Sequence, residues 1–295
     1  MRVAAIIVNY NDVEQTIKFV NSIRNMELIN KIVVVDNKST TENAFEILSR
    51  IEDDKITVIQ SERNGGYNYG NNFGIKYLKS KNDYYDYYII SNPDIHVEEE
   101  TLKHCLSLIS SEEKIAVIAP RMYDKNDKPI RRSAWKTRTF ALDCIHSTRL
   151  LELIFYGIFK DGEYSEKDFE KERLNVDCIS GAFFIIKGTF LNKIELFDEN
   201  VFLFYEEDIL SKLVKALDMK TVSLNSQKFI HYESQTIGKT FNYFAKMHQL
   251  FKSRIYFHKT YNHINIIQVA ILYILYGFKN IELLIEVPIR KLLKK

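Results

Sequence analysis

The chain reads as an α/β protein built on a mixed, mostly parallel sheet. Two observations predict this. Short apolar runs alternate with helix-patterned segments from Val3 to Ala119. Alternation of this kind gives parallel strands joined by right-handed crossovers. The runs also stop in polar residues: Asn9 and Asn11 after the first, Asp36 after the second, Asn92 and Asp94 after the fourth. One polar strand end arises by chance. Three in order mark one site, because open α/β sheets bind ligands beyond the carboxyl ends of their strands.

Taken in order, Val3 to Val8 is a buried strand broken by Asn9-Tyr-Asn-Asp12. Ile17, Val20 and Ile23 then share one helix face. Lys31 to Asp36 is the second strand, and Asn37 to Thr41 a turn that caps a helix with Ala44, Ile47, Leu48 and Ile51 inward. Ile56 to Ile59 is the third strand, Arg63-Asn-Gly-Gly66 a loop, and Tyr67 to Leu78 a helix despite Gly70 and Gly74. The stretch Asp86-Tyr-Tyr-Ile-Ile-Ser-Asn-Pro-Asp94-Ile-His96 holds the fourth strand and its acidic tip. A helix from Glu98 to Ile109 and a strand from Ile115 to Ala119 follow, then a turn at Lys125 to Pro129.

The second half is less regular. Apolar spacing from Ala141 to Phe159 suits a helix, and the charged run Lys160 to Arg173 reads as a mobile loop. Strands are expected at Val176 to Gly181 and Ala182 to Lys187, and a helix from the acidic cluster Tyr205-Glu-Glu-Asp208 to Leu217. Two more strands, Thr221 to Leu224 and Lys228 to His231, precede a long helix from Asn242 to Tyr261. In the tail, Ile264 to Phe278 is apolar, Lys279-Asn280 interrupts, and Ile281 to Leu293 is amphipathic with a basic end. The apolar run is shorter than the ~20 residues that cross a bilayer. It suits a helix lying at a membrane interface, docking on another subunit of a homo-oligomer, or packing on its own core.

With 295 residues, 46% of them hydrophobic, the chain is long enough for one large α/β domain or two closely joined ones. Lys and Arg outnumber Asp and Glu by only 41 to 39, and no basic-aromatic stripe stands out, so nucleic acid is not an expected partner. Cys105, Cys144 and Cys178 are odd in number and lack metal-ligand spacing, which points to free thiols in a reducing compartment. The start of the chain reads as a strand rather than a secretory signal, so a cytoplasmic setting is expected. No Gly-x-Gly-x-x-Gly follows the first strand, which disfavours a Rossmann dehydrogenase.

The ordered set Ile7-Val-Asn-Tyr-Asn11, Val34-Val-Asp-Asn-Lys-Ser39, Arg63-Asn-Gly-Gly-Tyr-Asn-Tyr-Gly-Asn71, Ser91-Asn-Pro-Asp94, Gly181-Ala-Phe-Phe184 and Phe202-Leu-Phe-Tyr-Glu-Glu-Asp208 resembles glycosyltransferase family 2. Within it the rhamnosyltransferase-like bacterial members are most similar. The resemblance implies a GT-A fold over about residues 1–235, with a nucleotide-binding half to about 120 and an acceptor-binding half from 121. Residues 236–295 would form a C-terminal helical region, with membrane or subunit contact through 264–295. The resemblance also implies inverting transfer from a dTDP- or UDP-linked sugar to a glycan or lipid-linked acceptor in surface polysaccharide synthesis, with Mg²⁺ or Mn²⁺.

Such a transfer must stabilise a leaving diphosphate and take a proton from the acceptor hydroxyl. By the resemblance, Asp94 and His231 hold the metal, and Asn92 replaces the first acid of the family's Asp-x-Asp. Asp36 reads the nucleobase. Asn9, Asn11, Asn64, Gly65, Gly66 and Asn71 surround base and ribose, and Gly181 and Ala182 leave room for the sugar. Asp208 is the candidate base, with Glu207 beside it in an unsettled register. Each has a plainer alternative: turn, cap, packing, or an acidic first helical turn. Arg131 and Arg132 contact a phosphate or are solvated surface arginines. Competing classes are a nucleotidyltransferase, which lacks its glycine-rich basic loop here, and an inactive nucleotide-sugar-binding homologue.

Overall fold

Four parallel strands open the chain: β1 (Val3–Asn9), β2 (Lys31–Asp36), β3 (Ile56–Gln60) and β4 (Tyr87–Ser91). The crossovers between them carry α1 (Val13–Ile23), α2 (Ala44–Ser49) and α3 (Tyr67–Ser80). The structure is a computed structural model that describes residues 1–155, 162–232 and 243–293. Then come β5 (Ile95–Val97), α4 (Glu99–Ser111), β6 (Ile115–Tyr123) and the short β7 (Ala134–Trp135). Helices α5 (Phe140–Ile145), α6 (Arg149–Phe155) and α7 (Glu166–Phe169) precede β8 (Arg173–Val176), β9 (Cys178–Ile179) and β10 (Phe183–Lys187). The last elements are α8 (Gly188–Lys193), α9 (Glu206–Ala216), β11 (Lys220–His231), α10 (Tyr243–Tyr261) and α11 (Ile266–Leu293).

The main sheet runs β3-β2-β1-β4-β10-β6-β11-β5, with β8 also pairing β11. The chain winds outward from β1 to β3, then returns to place β4 on the other side of β1. That reversal is a topological switch point, and it opens a crevice beyond the carboxyl ends of β1 and β4. β10 lies antiparallel between β4 and β6 and brings Gly181 and Ala182 to the same edge.

Apolar layers cover both sheet faces. One packs Phe19, Val20, Leu48, Leu102 and Leu106 from α1, α2 and α4. The other packs Ile75, Leu78, Phe190, Leu210 and Val214 from α3, α8 and α9. Each fully buried side chain of this kind contributes roughly 1.5–3 kcal/mol. Gly70 and Gly74 let α3 lie directly on β1: a Cβ would stand 2.8 Å from Val8 and 2.9 Å from Ile6. A third cluster, Val201, Tyr205, Ile209 and Phe257, fastens α10 to the acidic end of α9.

Four expectations need correction. The charged run is ordered from Gly162 onward: Ser165 and Asp168 form a capping box, and β8 pairs with β11 (Lys160 and Asp161 lie outside the described residues). The two late strands are one, β11, whose register shifts between Leu224 and Lys228. Lys279-Asn280 does not break the tail, because Lys279 pairs with Glu282 and Glu286, and Asn280 donates to the Tyr276 carbonyl at 3.0 Å. The continuous apolar stretch, Ile266–Pro288, is therefore 23 residues, long and apolar enough to cross a membrane by length and composition. The expected boundary at 235 and the start of the long helix at Asn242 lie outside the described residues. All three cysteines are free thiols, and Cys105 and Cys178 are buried.

Candidate active site

The crevice at the switch point is a cavity of about 380 Å³. Of the residues singled out in the sequence, Asn64, Gly66, Asn92, Asp94, Gly181, Ala182, Glu207 and His231 line it. Gly66 has φ +93°, and a Cβ there would stand 2.2 Å from the Phe202 carbonyl oxygen. Tyr67 N–H donates to that same carbonyl at 3.2 Å, so the loop opening α3 is clasped to the turn that leads into α9. Tyr67 also donates its hydroxyl to the Gly181 carbonyl at 2.5 Å. The Asn92 N–H donates to the Ala182 carbonyl at 2.8 Å, tying β4's tip to β10. Asp94 is buried, and its carboxylate lies 3.3 Å from His231 Nε2.

Asn9, Asn11, Asp36, Gly65 and Asn71 do not line this cavity. Asn9 and Asp36 are fully buried behind it. Asn9 Nδ2 donates to Asp36 Oδ1 at 3.0 Å, and Asn9 Oδ1 accepts from the Thr16 hydroxyl at 2.9 Å and the Asp12 N–H at 3.3 Å. The other Asp36 oxygen accepts from Gln60 Nε2 at 2.9 Å. Asn11, at φ 57°, accepts from the Thr40 and Thr41 N–H groups and staples the loop after β2. Asn71 is buried in α3, where its Nδ2 donates to the Tyr67 carbonyl. Gly65 packs against the Tyr69 ring.

A second cavity, about 720 Å³, lies on the other side of the acidic turn. Its wall includes Arg131, Arg132, Trp135, Arg138, Asp208 and Arg254. Phe204 and Glu207 line both cavities. Phe204 and Tyr205 are both in the left-handed region, at φ 72° and 70°, and this sharp turn swings the three acids to the start of α9.

The acids differ in surroundings. Glu206 lines only the smaller cavity and Asp208 only the larger. Burial, then the neighbouring Glu207 charge, holds the Glu206 carboxyl well above the usual carboxylate range. Burial pushes Glu207 up to about 7, with the Asp208 charge adding to it and the Gly181 N–H, 3.2 Å from Oε1, opposing it. Asp208 is pushed up to about 6 by burial, offset by a hydrogen bond from the Arg138 N–H at 2.7 Å.

Sequence reasoning missed the cluster behind the larger cavity. Asp143 is fully buried and accepts from Arg138 Nη1 at 2.7 Å and from the Tyr205 hydroxyl at 2.6 Å. His258 Nε2 lies 2.7 Å from it, and Arg254 Nε 3.9 Å. Against the cost of burial, the Arg254 charge, the His258 hydrogen bond and the Arg138 charge pull the Asp143 carboxyl well below its ordinary value. Its members come from the loop before α5, α5 itself, α9's entry and α10, so no local motif announces them. Asn37 and Tyr67, which line the smaller cavity, did lie inside recognised motifs.

Fold and crevice together define an α/β protein that takes its ligand at the switch point of the sheet. The chain belongs to glycosyl transferase family 2, whose model matches residues 4–193. It is 28% identical over 202 residues to the low-salt glycan biosynthesis hexosyltransferase Agl10 of Haloferax volcanii, an alignment covering 68% of this chain and 58% of that protein. The chain thus spans well under two thirds of that relative's length. Among solved structures it resembles GalNAc-T7 with UDP, GalNAc and Mn²⁺ (TM-score 0.58, 14% identity, 79% of this chain and 44% of that one). It also resembles the mannosyltransferase PcManGT of Pyrobaculum calidifontis in complex with GDP-Man and Mn²⁺ (TM-score 0.56, 13% identity, 90% and 65%). The S. aureus TarS fragment with UDP-GlcNAc gives a TM-score of 0.55 at 15% identity, covering 86% and 65%. The fold is GT-A.

Proposed function

We propose that the protein is an inverting glycosyltransferase that moves a sugar from a nucleoside diphosphate to a saccharide or lipid-linked acceptor. The observation that carries this reading is the shared wall: Glu207 and Phe204 line both cavities. A donor in the smaller cavity and an acceptor in the larger would meet there. Membership of the family and its hexosyltransferase relative support the reaction class. UDP and UDP-GlcNAc in neighbouring folds favour a UDP- or dTDP-linked donor, though one neighbour holds GDP-Man.

In this reading Glu207 is the general base and Asp208 the acid beside it that orients the acceptor side. A base titrating near the working pH serves proton transfer best, and Glu207 is pushed up to about 7. Asp208 is committed to the Arg138 N–H. Gly66 and Gly181 let backbone approach the donor closely. Asp36 acts one layer back, holding Gln60 and Asn9 at the nucleobase end.

A divalent cation fits Asp94 and His231. The two side chains face one another in the donor cavity, and no group of three or more His, Cys, Asp or Glu is placed to hold a metal ion among the described residues. Two protein ligands leave positions for phosphate oxygens and water, as hard cations at phosphate sites require. When bound, the ion would neutralise charge on the leaving diphosphate.

The test is thermal shift with UDP- and dTDP-sugars, with and without Mn²⁺ or Mg²⁺. A donor at 100 Kd stabilises the native state by roughly 2.7 kcal/mol. Asp94→Ala is expected to erase the metal-dependent part. Equal donor affinity with and without metal in the unmodified chain would remove the ion from the reading. Absence of any nucleotide binding would remove the function.

A further inference from the structure

Helix α11 is built inside out. Phe278, Ile281, Leu284 and Ile285 are 57–65% exposed. The charged side chains between them, Lys279, Glu282 and Glu286, are turned toward the protein and only 15–24% exposed. They pair with one another, and the Glu282 carboxylate also accepts from the Arg149 N–H at 3.1 Å at the start of α6. A water-facing helix shows the opposite arrangement. The outward stripe extends upward through Ile274 to Ile267 and Ile266, all exposed.

The face does not end with α11. Helix α6, which that Glu282 contact fixes to it, exposes Leu150, Leu153 and Ile154 on its outer side. Its other side, Glu152 and Phe155, lines the larger cavity. One short helix therefore joins an apolar surface to the cavity wall. The cavity rim carries exposed Arg131, Arg132 and Lys136, with Glu163 pairing the two arginines. In the sequence, Arg290, Lys291, Lys294 and Lys295 follow the apolar stretch.

We propose that α6 and α11 form a bilayer-docking surface for anionic membranes, and that the larger cavity takes its acceptor, with an anionic headgroup, from the lipid plane. Charge complementarity selects lipid over a second copy: an apolar face flanked by cationic groups matches acyl chains beneath anionic headgroups. The helix lies on the surface rather than crossing it. Phe251 of α10 stacks on Tyr276 at 4.0 Å, and Leu272 and Leu283 are buried. The acceptor assignment rests on the transfer proposed above; the docking does not.

Flotation of the purified full chain with vesicles tests the docking without any donor or acceptor. The chain is expected to float with phosphatidylcholine vesicles containing phosphatidylglycerol, and more weakly with phosphatidylcholine alone. Leu153→Glu on α6 and Phe278→Glu on α11 should each weaken partition on the order of tenfold or more. Both side chains are exposed, so an unchanged melting temperature checks the fold. Arg132→Gln with Lys136→Gln should cost roughly fivefold per charge on anionic vesicles only. An unmodified chain that floats with neither vesicle overturns the proposal. So does a dimer, seen by ultracentrifugation, that Phe278→Glu dissolves while no vesicle is bound. Normal flotation of Leu153→Glu would exclude α6 from the surface. A chain that floats but binds no nucleotide sugar would sink the transfer reading and leave the docking standing.

Discussion

Four carboxylates crowd around Tyr205, Asp143 from α5 and the three acids that follow Tyr205 in α9, and the two sets are tuned in opposite directions. Asp143 meets two arginines, a histidine and the Tyr205 hydroxyl, and its carboxyl is held well below the ordinary range. Glu206, Glu207 and Asp208 sit in the first turn of α9, where their carboxyls are pushed up. Burial is the largest influence on all four. What differs is compensation. Asp143 is met by two guanidinium groups, the His258 ring and the Tyr205 hydroxyl. The acids of α9 receive backbone N–H groups and the helix dipole, which stabilise charge weakly, and they repel one another. A compensated acid holds structure together; an undercompensated one keeps its proton near neutral pH and is fit to exchange it.

Removing Asp143 breaks the comparison most severely. Asp143→Ala leaves Arg138, Arg254 and His258 facing one another in the interior, and a loss of about 3–5 kcal/mol in urea unfolding is expected. Glu206→Gln, by contrast, should leave stability unchanged or raise it. Next in size is Gly66→Ala. Its left-handed backbone and the 2.2 Å approach to the Phe202 carbonyl predict a loss of about 1–3 kcal/mol in the same measurement. Because Phe202 leads into the acidic turn, donor affinity by calorimetry should fall with it.

The smallest effect sharpens the contrast through pH. The acids of α9 have folded values above their unfolded ones, so the folded state binds the extra protons. They cost stability progressively as pH rises from their unfolded values, near 4, through the folded values of about 6 and 7. Asp143 has the opposite sign: its contribution is complete above its unfolded value and is lost only in more acid solution. Melting temperature should therefore rise by a few degrees on going from pH 8 to pH 5.5. Glu206→Gln with Glu207→Gln should flatten that slope, and a slope unchanged in the double variant would mean that other groups set it.

The smaller cavity was largely legible in the sequence. Buried parallel strands are continuous apolar runs, so β2 and β4 stand where Lys31-Ile-Val-Val-Val-Asp36 and Tyr87 to Ser91 predicted. The polar tip of β4, Asn92 and Asp94, lines the crevice. Asn9 and Asp36 were picked out as polar strand ends but lie behind the cavity wall, since a strand's last side chain points into the structure as readily as out of it. The larger cavity was opaque for a physical reason. Arg138 and Asp143, Tyr205, and Arg254 come from three stretches far apart in sequence, and only tertiary packing joins them. The tail misled because a charge inside an apolar run ordinarily ends a buried helix. Here Lys279 turns inward to meet Glu282 and Glu286, and the apolar residues face out.

The central claim is that the two cavities meet at Glu207, which takes the acceptor proton. Turnover and donor binding measured side by side for Glu207→Gln and Asp208→Asn test it most directly. Glu207→Gln should keep donor affinity while turnover falls by roughly 10²–10⁴, and Asp208→Asn should retain more of its rate. Full turnover in Glu207→Gln, with the rate lost in Asp208→Asn instead, would contradict the account.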